Sequence, residues 1–205
     1  MVFRPGWRKF ALTAHVTASV GWLGAVAAFL VLAVIGLKSI DDDTVRSLYP
    51  ALELLGWYVI VPFSVAALVT GLIQSLGTHW GIFRHYWVVA KLVITVGASL
   101  LLLLHMQLVR SAAAAASGGA LGDDLRMPLV ADAAAALVVL GIAVVLSVYK
   151  PQGLTPWGVR AESPGAVTVA NGQTAFSYLF WLTVGALLLA LIVRHLLGGG
   201  MQSHF

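Results

Sequence analysis

The sequence predicts an all-α fold, a polytopic transmembrane helical bundle of about five spans. Hydrophobic residues make up 60% of the chain and charged residues only 10%, where a soluble domain carries roughly a quarter charged. Apolar windows of the roughly 20 residues needed to cross a bilayer core recur along the chain. The few Lys and Arg sit singly at the ends of those windows instead of forming a stripe or tail, so the net charge of +4 reads as membrane-surface anchoring. Nucleic acid is therefore not an expected partner; the lipid bilayer is.

The first apolar run, about residues 10–37, follows Arg4, Arg8 and Lys9 and so imitates a signal peptide. It exceeds the roughly 7–15 residues of a secretory apolar core and is expected to stay as the first span. A second span is expected at about 51–75, with Pro62 removing a backbone donor at mid-depth and kinking the helix. Ser64 or a neighbouring helix would satisfy the freed carbonyl. The third and fourth spans, about 86–109 and 128–149, are nearly free of charge, and a fifth is expected at about 175–197. The connecting segments RSAAAAASGGALGDDLR and KPQGLTPWGVRAESPGAVTVANGQT are rich in small residues or in Pro and Gly and read as loops. Residues 1–205 then form a single transmembrane domain.

Sidedness follows from the basic residues. Arg4, Arg8, Lys9, Arg84, Lys91, Lys150 and Arg160 fall on one side; Lys38, Arg46, Arg110, Arg126 and Arg194 fall on the other, among five aspartates. This bias, with three of the charges ahead of the first span, predicts a multi-pass protein of the plasma (inner) membrane, N-terminus cytoplasmic and C-terminus outside.

Three sets of polar residues are candidates for function. The turn between spans two and three contains Trp80, Phe83, Arg84, Tyr86 and Trp87, side chains suited to the headgroup level, and reads as a membrane-interface anchor. On the same side, His15, His85, Lys91 and Tyr149 could form a cytoplasmic-side pocket for an anionic or quinone-like headgroup. In the outer half Glu53, His105 and Asp132 fall at similar depth, and intramembrane ionisable residues usually face inward and pair. Two carboxylates and an imidazole suit a divalent metal or a proton relay. Lys91, Thr95, Ala98, Leu102 and His105 share one helical face, which would turn the third span's polar stripe inward.

The sequence requires no cofactor. Cysteine is absent, which excludes thiolate sites and disulfides. Haem is disfavoured because His15 and His105 fall in opposite halves of the membrane and two axial ligands must share a depth, which leaves only His15 with His79 or His85 as an axial pair. The glycines and small residues of TASVGWLGAVAA read as helix-packing positions. No phosphate loop, nucleophile elbow or metalloprotease motif occurs, so a non-enzymatic role is favoured.

The run TGLIQSLGTHWGIFRHYWVVAKLVITVGASLLLLLHM, with LSVYKPQGLTPWG after it, resembles a family of small multi-span membrane proteins common in actinobacteria and classed as a domain of unknown function. The resemblance implies a helical integral membrane protein and no established activity, substrate or cofactor. It also implies a histidine near the start of span four, where this chain has Asp132.

The expected function is thus a non-enzymatic accessory, assembly or lipid-interacting helical bundle, acting as a homodimer or within a membrane-protein complex. The alternatives are an ion or proton transporter or metal-binding protein using the outer-half cluster, and a haem- or quinone-linked redox protein.

Overall fold

The computed structural model describes residues 4–77, 83, 85–119, 121–149 and 155. Four helices among them are long and apolar enough to cross a membrane. The expected fifth span at 175–197 lies outside the described residues.

Helix α1 runs Pro5–Lys38. It begins five residues before the apolar run because Pro5 stands in the first turn, where its fixed φ suits the helix and its missing N–H costs nothing. After a short turn, Asp41 caps α2, Asp42–Leu55, by accepting the backbone N–H of Thr44 at 3.0 Å. Asp42 and Asp43 fill its first turn, where the helix dipole favours negative charge. This start lies nine residues ahead of the expected second span.

One turn of π-helix, Gly56–Ile60, follows directly, and α3 continues as Val61–Leu76. Together the three segments make a single apolar helix, Asp42–Leu76. The interruption at Pro62 therefore takes the form of a widened turn just before the proline. A proline ring clashes with the carbonyl four residues back, and widening the turn moves that carbonyl aside. Ser64 donates to the carbonyl of Val61 at 2.8 Å, not to the carbonyl of Tyr58 that Pro62 leaves without its usual donor.

Helix α4 spans Tyr86–Ser117 and α5 spans Asp123–Tyr149. One end of each agrees with expectation, at Tyr86 and at Tyr149. Their far ends do not: RSAAAAAS, read as a flexible loop, is helix. Alanine is the strongest helix former, and Ala112, Ala113 and Ala116 are buried in the core. The helix stops at Gly118 and Gly119, the latter with φ 73°, a left-handed conformation that suits glycine.

Each helix packs against the next in sequence, and α5 returns to α1, closing an up-down-up-down bundle. The α2 half of the second helix lies against α4, while the α3 half lies mainly against α1. The core runs along the axis through Trp22, Phe29, Tyr49, Leu52, Met106, Val109 and Leu129. At about 1.5 Å per residue the 34-residue α1 is about 51 Å long, well beyond an apolar bilayer core of about 30 Å.

Candidate functional site

A cavity of about 90 Å³ opens in the middle of the bundle. Trp22, Val26 and Phe29 of α1 wall one side, with Ile60 of the π turn beside them. Ala98, Leu102 and Met106 of α4 and Ala133, Ala136 and Leu140 of α5 close the others. A residue count explains the space. Small alanines from α4 and α5 face large side chains from α1, and Gly56 admits the end of Met106, which lies where a Cβ on residue 56 would be.

Two polar side chains, His105 of α4 and Asp132 of α5, interrupt this apolar wall. Nδ1 of His105 lies 3.0 Å from Oδ2 of Asp132. The imidazole also meets the ring of Phe29 edge-on, at 6.3 Å between centroids. Both ring nitrogens are shielded from solvent, so the pair meets in a low-dielectric setting, where an interaction between charges is strong and a separated charge is costly.

The expected outer-half cluster is thus assembled in part. His105 and Asp132 meet, but Glu53 does not line the cavity. Leu52 takes the fully buried position on α2, and Glu53, about 100° further round the helix, is only half-buried. Among the described residues no group of three His, Asp or Glu is placed to hold a metal ion. Of the expected inward stripe of α4, Ala98, Leu102 and His105 line the cavity, whereas Lys91 and Thr95 do not.

Of the expected cytoplasmic-side set, the structure brings His15 and Lys91 near each other. His15 turns to α3, its Nδ1 3.1 Å from the carbonyl of Ala67 and 3.2 Å from the hydroxyl of Thr70. The carbonyl can only accept, so Nδ1 of His15 carries the proton in this contact. Gly71 makes room for this ring: a Cβ there would stand 3.1 Å from Cε1. Lys91 is close enough for its charge to act on His15. His85 is the residue preceding α4, and Tyr149 is 79% exposed. His15 and His105 do not share a depth. The ring of His105 rests against Phe29, which lies about 21 Å along α1 from His15 at 1.5 Å per residue, too far for one iron.

Of the expected interface anchor, Trp80 and Arg84 lie outside the described residues. Phe83 is exposed, and Tyr86 and Trp87 are half-buried at the start of α4. The carbonyl of Phe83 accepts the hydroxyl of Thr155, tying this turn to the segment after α5. Thr155 was not singled out in the sequence and carries no local signal there. Trp22 was within reach: a tryptophan in the middle of an apolar run, far from either headgroup level, is expected to face the bundle.

Compared with family models, curated proteins and solved structures, the chain matches none.

Proposed function

We propose that this chain is a lipid-interacting membrane protein whose central cavity receives a lipid-soluble small molecule, with the His105–Asp132 pair as the polar end of the site. The observation that carries this reading is the composition of the cavity wall, apolar and aromatic apart from one paired imidazole and carboxylate. Ligand pockets typically combine an apolar lining with a few placed polar groups. Arg4, Arg8 and Lys9 ahead of α1 support an inner-membrane placement with the N-terminus in the cytoplasm, which sets the pair in the outer half.

Native mass spectrometry of the protein released from detergent tests the proposal. A small apolar adduct should be retained by the wild type and lost in Ala136→Leu, which fills the cavity from α5. Equal adducts in both proteins would end the reading.

A second reading treats the pair as a proton carrier, favoured by the 3.0 Å contact between two titratable groups inside the bundle. It requires proton flux in proteoliposomes that His105→Ala abolishes. The metal-binding variant of that reading has less support, because Glu53 does not join the pair.

A further inference from the structure

We propose that the first two turns of α1 bind the phosphate of an anionic phospholipid through Arg4 and Arg8, which flank Trp7. The site is separate from the central cavity and stands or falls independently of it.

The register of α1 picks out the face. Ala11 opens the buried stripe that continues through Ala18, Trp22 and Phe29. Trp7 and Arg8 precede Ala11 by four and three residues, so the helical repeat puts them on the same face. From Ala11 onward that face meets other helices, but Trp7 is 65% exposed and Arg8 is exposed as well. The core-facing stripe of α1 thus runs past the end of the bundle as a ledge. Arg4, exposed at the helix cap, lies one turn further out.

Charge decides what the ledge receives. Among the described residues every Asp and Glu falls between Asp41 and Glu53 or between Asp123 and Asp132, toward the opposite end of the bundle. The first turn of α1 has no acidic residue, and Arg4, Arg8 and Lys9 form no ion pair among the described residues. An anion is the complement of such a surface, and a guanidinium offers phosphate two parallel donors.

Position decides which anion. The end of a membrane-spanning helix stands at the headgroup level, where aromatic rings settle. Trp7 and Phe10 are equally exposed and meet edge-on at 5.9 Å between centroids. Phe83 and Tyr149 are exposed at the same end of the bundle. An acidic protein segment would satisfy the arginines and leave these rings in water, whereas a phospholipid presents phosphate and acyl chain together.

The test titrates the full chain in a neutral detergent with phosphatidylglycerol and, separately, with phosphatidylcholine of the same acyl chains. Bound lipid is read by native mass spectrometry. The wild type should hold phosphatidylglycerol about fivefold more tightly or better, the worth of one basic residue at an anionic surface. Arg4→Gln combined with Arg8→Gln should bring the two lipids to equal affinity. Two controls should keep the preference: Lys38→Gln combined with Arg110→Gln, which removes the same charge toward the opposite end, and Ala136→Leu, which fills the central cavity.

Equal affinities in the wild type would overturn the proposal and favour an acidic protein segment as the occupant. Loss of the preference in either control would overturn it too, because the lipid would then follow net charge or the cavity. Arg4 and Arg8 are exposed, so replacing them leaves the packed core of the bundle untouched.

Discussion

The guanidinium of Arg126, on α5, donates through Nη1 to the carbonyl of Ser39 at 3.2 Å, and so caps the far end of α1 from a different helix. The same group reaches the carbonyl of Gly36 at 3.4 Å, and Nη2 reaches that of Leu121 at 3.2 Å. The last carbonyls of a helix have no partner within it, and here one planar cation ties two carbonyls at the end of α1 to that of Leu121, just ahead of α5. Arg126→Met should lower stability by about 1.5–3 kcal/mol, the range for hydrogen bonds to a charged donor. Arg126→Lys should recover only part of the loss, because an ammonium cannot reproduce the planar fork. Thermal unfolding of both variants in the same detergent checks the order.

The glycines divide by what stands beside them. A Cβ at residue 36 would meet Leu48 and the fully buried ring of Tyr49 at 2.9 Å, and one at residue 21 would meet the ring of Phe63 at 2.6 Å. Gly36→Ala and Gly21→Ala should each cost about 1–3 kcal/mol through overpacking. Nothing lies within 4 Å of the corresponding position at residue 24. Gly24→Ala should therefore be neutral or slightly stabilising, by up to about 1 kcal/mol of helix propensity. A melting series of the three variants that ranked Gly24→Ala with the others would contradict the packing of α1.

The start of α2 should respond to acid. The hydroxyl and backbone N–H of Thr44 hold the Asp41 carboxyl below its ordinary value. A carboxyl whose folded value is depressed contributes stability above its unfolded value of about 4. That contribution fades as the pH falls from there through the folded value. Amide exchange at Thr44, corrected for intrinsic rate, should thus lose protection below about pH 4 in the wild type. In Asp41→Asn, which can still accept the hydrogen bond, the dependence should be flat.

His105 and Asp132 should be energetically coupled. A double-mutant cycle with His105→Leu and Asp132→Leu should give an interaction of about 0.5–3 kcal/mol, the range for residues within one network. Either single change leaves a buried polar group facing apolar wall, so the double variant should be more stable than the sum of the singles implies. Strict additivity would mean the two side chains do not meet in the folded protein.

His15 offers a milder test on the opposite half. His15→Leu removes the bond to Ala67 and Thr70 and should cost about 1 kcal/mol, the net worth of an ordinary hydrogen bond. Cavity-dependent binding should be unchanged in this variant, because His15 does not line the cavity.

Much of this was legible in the sequence, and the reasons differ between residues. Composition and apolar run length located the first four helices, because bilayer thickness imposes a minimum length that few other constraints mimic. Tyr86 and Tyr149 could be placed as helix ends for the same reason. The opposite ends were hidden, since RSAAAAAS and DDDTVRSLYP continue past the apolar run and hydropathy carries no information there. Alanine propensity and the Asp41 cap were the available signals, and both are local.

The pairing of His105 with Asp132 followed from depth and the rarity of ionisable residues inside spans. Depth alone also put Glu53 beside them. Which way a side chain points round the helix depends on the π turn and on which neighbour each half of the second helix meets, and neither is written in hydropathy. Thr155 bonding to Phe83 is a contact across 72 residues and has no sequence signature of its own.

The π turn at Gly56–Ile60 has an effect on phase. Each residue of a regular helix rotates the side-chain direction by about 100°, and a π turn contains about one residue more than a regular turn. The two halves of the Asp42–Leu76 helix are therefore offset by roughly that angle. Through this offset the apolar stripe of one half can be aimed at α4 and that of the other at α1, so one helix serves as two differently oriented walls. Deleting a single residue from the turn would bring the stripes into line, and one of the two neighbours would lose its partner.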